Sequence, residues 1–363
     1  RPLGALLYLA VLQHVAARSA LSTARRTGRT TVLPFYSHYS PRRLVRFTSN
    51  IGNHPISELS SSSSSSSPLR RKLVRCQRTP ILLEGLDILE ARNTAIKAAK
   101  EAGELIRKRL GADVIETKLN TMDLLTEVDG KCQNIIENII LGAYPEHGFL
   151  GEESVAPGAD ASQIALQEAR DNEWLWIVDP IDGTTNFASG MPLVGTIIGL
   201  AHKGNMVLGV IYDPFNDELF EAIQGNGAFV NGKRMQVSSD ATNLSDSVIY
   251  TGSPPNPRSI APTLRSVNAL MPKARTIRML GTAALMLAWV AAGRAGGYYE
   301  PDLNAWDSAA GVLMVREAGG QVTDLKGNDW DLSTRPLCAT NGKIHEELLE
   351  ITRSVECTGL DPE

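Results

Sequence analysis

Two carboxylates stand three residues apart in Asp179-Pro180-Ile181-Asp182-Gly183-Thr184-Thr185-Asn186-Phe187, at the end of the apolar run Trp174 to Val178 and directly before small, hydroxyl-bearing residues. Carboxylate oxygens bind hard divalent cations. Free backbone amides at a helix start bind phosphate oxygens. Trp174-Leu175-Trp176-Ile177-Val178 reads as a short buried strand that Pro180 ends, so Asp179 projects from a strand terminus instead of packing inside a sheet. A helix entered at Gly183 then turns the amides of Gly183, Thr184 and Thr185 outward. The segment therefore predicts a place for divalent metal ions and a phosphate. Taken singly, Asp182 or Thr184 reads as well as a helix N-cap, but capping does not require a second carboxylate ahead of the turn.

Two further acidic elements suit the same site. Gly151-Glu152-Glu153-Ser154 follows the apolar pair Phe149-Leu150 at another predicted strand end, and Trp306-Asp307-Ser308-Ala309-Ala310-Gly311 opens an apolar helical stretch running to Ala318. Alone, Glu152 reads equally as a solvated loop acid and Asp307 as an N-cap. Together with the central string, and with Asp123-Leu124-Leu125-Thr126-Glu127-Val128-Asp129 and Arg278-Met279-Leu280-Gly281-Thr282-Ala283-Ala284 as weaker matches, they resemble the inositol monophosphatase family. That family lies in the lithium-sensitive, magnesium-dependent phosphatase group. The resemblance runs from about Leu86 to about Thr352.

The resemblance implies a layered αβαβα sandwich, an α/β (α+β) fold, with two or three magnesium ions between its halves. Carried over residue by residue, Glu152, Asp179 and the main-chain carbonyl of Ile181 would bind a first ion. Asp179, Asp182 and Asp307 would bind a second, and a weaker third would lean on Glu152. Four carboxylates packed closely cannot all stay ionised without a cation, because like charges raise one another's pKa. Glu152 and Thr184 would orient the attacking water, with Asp129 accepting from the Thr184 hydroxyl. Substrate contacts would come from Asp182, Gly183, Thr184, Thr185, Gly281, Thr282, Ala283 and Glu300. The expected activity is that of a phosphoric monoester hydrolase acting on myo-inositol 1-phosphate and related sugar or polyol phosphates. Histidinol-phosphate phosphatase is the main competing reading, and a binding protein with a relic metal site is the other. Lithium inhibition and a homodimer are implied in the same way. Met122, Met286 and Ala305 depart from the family pattern without touching a ligand position, and bear on loop rigidity, subunit contacts and substrate preference.

The elements that must position these residues are legible in outline. Leu86 to Leu110 carries apolar and alanine positions at helical spacing and ends at Gly111, and Val128 to Leu141 repeats the pattern. Leu193–His202 and Met206–Tyr212 read as a hairpin across Lys203-Gly204-Asn205, and Asn231-Gly232 marks another. Thr282–Ala292 and Ser308–Ala318 are small-residue-rich helices able to approach a sheet closely.

The 363 residues carry a net charge of −4, unevenly spread. Residues 1–82 hold thirteen Lys and Arg against the single acid Glu58, which leaves the remainder at −16. An acidic working domain argues against a nucleic-acid partner. Domain boundaries are expected at 1–83 for a targeting leader, 84–355 for the catalytic domain and 356–363 for a tail. The leader is basic and acid-poor, with a serine run from Ser60 to Ser67, as in organellar transit peptides. An apolar stretch from Leu3 to Val15 precedes it, too short for a membrane span but suited to a signal peptide. Signal followed by transit segment predicts a plastid, with a mitochondrion or the cytoplasm as alternatives, and no stable membrane association of the mature form. Upstream sequence that is not translated would read the same way. Cys76, Cys132, Cys338 and Cys357 show no zinc-type spacing and are expected as unpaired thiols, with a Cys338–Cys357 redox pair as the alternative.

Overall fold

The structure is a computed structural model that describes residues 82–362 apart from 119–123, 253 and 255. The expected leader up to residue 81, Cys76, Met122 and Asp123 lie outside the described residues.

The chain enters through the pair β1 (Leu82–Leu83) and β2 (Leu86–Asp87), helix α1 (Ile88–Arg109), the antiparallel pair β3 (Val114–Thr117) and β4 (Leu124–Thr126), and helix α2 (Glu127–Ala143). Strand β5 (Gly148–Gly151), helix α3 (Ala159–Ala169), strand β6 (Trp174–Asp182) and the short helix α4 (Thr184–Ala188) follow. A meander comes next, of β7 (Gly195–His202), β8 (Asn205–Asp213), β9 (Glu218–Ile223), β10 (Gly227–Val230) and β11 (Lys233–Arg234). The last part runs β12 (Val248–Thr251), α5 (Pro257–Leu270), β13 (Thr276–Arg278), α6 (Ala283–Ala291), β14 (Gly297–Glu300), α7 (Ala305–Glu317), β15 (Gln321–Thr323), β16 (Leu337–Thr340) and α8 (His345–Ser354).

Seven strands form one sheet in the order β11-β10-β9-β8-β7-β6-β5, and five form a second in the order β13-β12-β14-β16-β15. Helices α1 and α2 cover one face of the larger sheet. Helices α6 and α7 cover its other face and touch the smaller sheet, whose far side carries α5 and α8. The result is the expected αβαβα sandwich, with one hydrophobic core around the middle helix layer that reaches both sheets and one more on the outer side of each sheet. The sequence of the inner layers follows from that placement. Strand β7 is buried along its whole length because helices lie on both its faces. Helix α6, Ala-Ala-Leu-Met-Leu-Ala-Trp-Val-Ala, is apolar all round because it is covered on both sides. Small residues permit the expected close approach, for a Cβ on Gly209 of β8 would stand 2.8 Å from the Ala310 carbonyl oxygen of α7.

Both predicted hairpin turns form. Lys203 and Gly204 take φ of 48° and 79°, and Asn231 and Gly232 take 48° and 75°, two consecutive left-handed residues as a tight hairpin requires. The expectation for Pro180 is corrected, because β6 continues through it to Asp182. The ladder to β7 is irregular between Asp179 and Asp182, so the missing proline N–H interrupts a bulge and not a regular pairing. Cys132, Cys338 and Cys357 are separate buried thiols, and Cys357 packs into the outer core. The Arg265 guanidinium holds the tail through the Val355 and Glu356 carbonyls and the Asp361 carboxylate. Among the described residues, no helix is long and apolar enough to cross a membrane.

Candidate active site

Parallel pairing of β5 with β6 matches Leu150 to Ile177 and Gly151 to Val178. The next residues, Glu152 and Asp179, therefore stand side by side, Glu152 just past the end of β5 and Asp179 still within β6. Beyond Val178 strand β6 overhangs β5 and pairs only with β7, ending with Asp182 opposite Gly195. Ligand sites in sheets of this kind form outside the carboxyl ends of strands. Here that edge faces a cavity of about 580 Å3. Glu152, Asp179, Ile181, Asp182, Gly183, Thr184, Thr185, Gly281, Thr282, Ala283, Glu300 and Asp307 all line it. The structure thus brings together every predicted site residue but Asp129, which stands one hydrogen bond behind.

Asp129 is buried in the first turn of α2, where the Thr126 amide donates to its Oδ2 at 2.9 Å. Its other oxygen, Oδ1, accepts from the Thr184 hydroxyl at 3.1 Å. The same hydroxyl lies 3.0 Å from the Ile181 carbonyl oxygen. Gly183 caps α4 with φ of 98°, a left-handed conformation, and a Cβ there would stand 2.9 Å from the Leu193 carbonyl oxygen. The capping alternative for Asp182 fails on its own helix and succeeds on a distant one. Its Oδ2 accepts from the Thr282 hydroxyl and from the Ala284 amide at 2.7 Å, so the carboxylate sits at the N-terminus of α6. Asp307 is the third residue of α7, not its cap, and accepts from the Asn304 amide at 2.6 Å.

Electrostatics mark the cavity as built for positive charge. Burial, then Glu152, Asp182 and Asp307, push the Asp179 carboxyl well above the usual carboxylate range. Burial and then Glu152 do the same to Asp307. Asp182 rises to about 6 through burial, although the Thr282 hydroxyl and the α6 amides pull the other way. Burial also raises Asp129, against its hydrogen bonds from Thr126. These oxygens, with the Ile181 carbonyl, make an all-oxygen donor set that fits hard dications. A cation would relieve the repulsion that holds the carboxyls up.

Lys118, Gln133 and Asn186 also shape the site, and the first two carry no signal in their own stretch of sequence. Lys118 places its ammonium 2.7 Å from Glu152 Oε1 and 3.1 Å from Glu153 Oε1. Burial lowers that ammonium, but the two glutamates outweigh burial and hold it above its ordinary value. Gln133, one turn beyond Asp129 on α2, accepts from the Glu153 amide at 2.8 Å and fixes the turn that carries Glu152. Asn186 donates to the Leu193 and Leu280 carbonyls at 2.9 and 2.7 Å, tying α4 to the loop before α6. Among the described residues, the one trio of acid, His or Cys side chains with ligand atoms all within 4.8 Å lies elsewhere, in Glu84, Glu173 and His202. It sits at the opposite end of β6, where Lys203 bridges Glu84 and Glu173 and so offsets part of their charge.

A five-layer α/β sandwich with a carboxylate-walled cavity beside strand ends suits the class of metal-dependent phosphoric ester hydrolases. Within it, the chain belongs to the inositol monophosphatase family, whose model matches residues 87–356. It is similar to inositol monophosphatase 2 of Solanum lycopersicum, 39% identical over 267 residues that span 73% of this chain and 98% of that protein. It is 37% identical to inositol monophosphatase 1 of Bos taurus over 262 residues, 71% of this chain and 92% of that one. The solved inositol monophosphatase of Anabaena (Nostoc) sp. superposes with a TM-score of 0.64 at 35% identity, covering 74% of this chain and 98% of the other.

Proposed function

We propose that the protein hydrolyses phosphate monoesters of polyols and sugars, myo-inositol 1-phosphate first among them, with magnesium as the cofactor. One observation carries this reading: four carboxylates, from the turn after β5, from β6 and from the start of α7, meet at a single cavity beside the Gly183–Thr185 amides. Glu152, Asp179 and the Ile181 carbonyl would hold one ion, Asp179, Asp182 and Asp307 a second, with a third on Glu152. Bound there, magnesium lowers the pKa of water and neutralises charge on the phosphate.

The chain's own residues do the rest. The amides of Gly183, Thr184 and Thr185 take phosphate oxygens at the start of α4. Asp129 Oδ1 draws the Thr184 hydroxyl proton toward itself, which turns the Thr184 lone pairs to the attacking water. Glu152 accepts that water's other proton and fixes its direction. Asp182, held by Thr282 and Ala284, stays aimed at the ester instead of swinging into solvent. Glu300, on the cavity wall, contacts hydroxyls of the alcohol half. The histidinol phosphate alternative is less favoured, because relatives matched along nearly their full length bear inositol monophosphatase names. Lithium sensitivity, a homodimer and a plastid location form part of the same proposal. Purified protein should release phosphate from myo-inositol 1-phosphate only when magnesium is present, and Asp179→Asn should abolish release. Undiminished activity in that variant would remove the mechanism.

A further inference from the structure

Tyr298 and Glu300 are two apart on β14, so both side chains leave the same face of the strand. That face belongs to the central core, whereas Tyr299 between them packs in the outer one. Tyr298 is fully buried, and Glu300 is 5% exposed at the cavity wall. The Tyr298 hydroxyl donates to Glu300 Oε2. Parallel pairing of β12 with β14 matches Thr251 to Tyr299, which brings Gly252 alongside Glu300. A Cβ on Gly252 would stand only 2.6 Å from the Glu300 carboxyl carbon. The carboxyl group is thus gripped from two sides, by a buried phenol and by a residue whose missing side chain leaves the space it fills.

We propose that Tyr298 is a positioning residue that, together with the bare backbone of Gly252, locks the Glu300 carboxyl in the one orientation that reads a hydroxyl of a polyol phosphate. This deepens the reading of Glu300 given above and rests on it. One acceptor position of Oε2 is committed to Tyr298, which leaves Oε1 the freer oxygen for the substrate and gives the contact a direction. A single directed contact of this kind discriminates better than a mobile carboxylate, because an alcohol lacking the matching hydroxyl leaves a buried polar group unpaired. Burial drives the Glu300 carboxyl up to about 8, and the Tyr298 hydroxyl opposes that rise. Tyr298 therefore also helps to decide whether Oε1 meets the substrate as an acceptor.

The test compares Tyr298→Phe, Gly252→Ala and Glu300→Gln in the full chain at saturating magnesium. Each is assayed on myo-inositol 1-phosphate and on p-nitrophenyl phosphate, an ester without polyol hydroxyls. Tyr298→Phe removes one hydroxyl, and Gly252→Ala displaces the flexible carboxyl end, so neither change demands a rearranged backbone. Both should raise KM for the inositol ester by about tenfold, with kcat held within about twofold and p-nitrophenyl phosphate kinetics unchanged. The proposal is overturned if both variants leave the two substrates alike, whether slowed equally or unaffected, while Glu300→Gln still penalises the inositol ester alone. If Glu300→Gln shows no such preference, the assignment of Glu300 as a hydroxyl contact fails first, and the positioning role falls with it.

Discussion

Stripped of metal, the protein should lose stability as pH rises, and neutralising one carboxylate of the site should restore it. Asp182 gives the magnitude. Its carboxyl sits at about 6 in the folded chain against an ordinary 3.8. With the folded value the higher, the folded chain keeps a proton that the unfolded chain has already released. The stabilising contribution is therefore complete below the unfolded pKa and is lost as pH climbs through the folded one. A difference of about 2 pKa units corresponds to about 3 kcal/mol. For a domain of this length that is a Tm change of roughly 6–12 °C. Glu300, at about 8 against 4.5, carries the decline on through neutral pH. Scanning calorimetry in EDTA from about pH 5 to about pH 8 should record a falling Tm, and saturating magnesium should largely remove the fall by favouring the ionised carboxylates. In EDTA at the upper pH, Asp182→Asn should melt above the parent protein although it is inactive, since it removes charge repulsion and retains an oxygen acceptor for Thr282. A Tm in EDTA that stays flat with pH, or an Asp182→Asn protein that melts below its parent, would refute the reasoning.

Thr184→Val keeps the side chain's shape and removes its hydroxyl, so kcat should drop by about a hundredfold or more while the magnesium concentration for half activity stays constant. A steady-state magnesium titration separates the two effects. Asn186→Ala leaves the Leu193 and Leu280 carbonyls without their donor and should cost about 1–3 kcal/mol, read as a lower midpoint in urea unfolding. Residues 1–83 fused to a fluorescent protein should direct it to plastids, and diffuse cytosolic fluorescence would count against the leader assignment.

The motifs made the acids of the site legible because each stands beside or beyond a run whose own period is visible. Trp174–Val178 shows its strand by an unbroken apolar run and Glu152 follows a second such run, which places Glu152 correctly past a strand end, whereas Asp179, expected at an end, lies within β6. What brings them together is the β5–β6 register, a long-range fact that neither run contains. The same limit hides the grip on Asp182, whose partners Thr282 and Ala284 lie a hundred residues downstream. Lys118 and Gln133 read as ordinary helix and loop polar residues until the fold turns them toward Glu152 and Glu153. Pro180 misled for a local reason. A proline inside a strand pattern argues for an end, and only the bulge opposite β7 lets the strand pass through it. The layer order was legible only through the family resemblance, and a helix apolar on all faces, such as α6, agrees with it because such a helix must be buried on every side.

The central claim is that carboxylates from separate stretches of the chain share divalent cations around a phosphate ester. Crystals soaked in manganese and phosphate, measured for anomalous scattering, test it most directly. The account predicts one peak bounded by Glu152, Asp179 and the Ile181 carbonyl and a second bounded by Asp179, Asp182 and Asp307, with phosphate density at the Gly183–Thr185 amides. A cavity without anomalous density under those conditions, or manganese bound only at Glu84, Glu173 and His202, would contradict it.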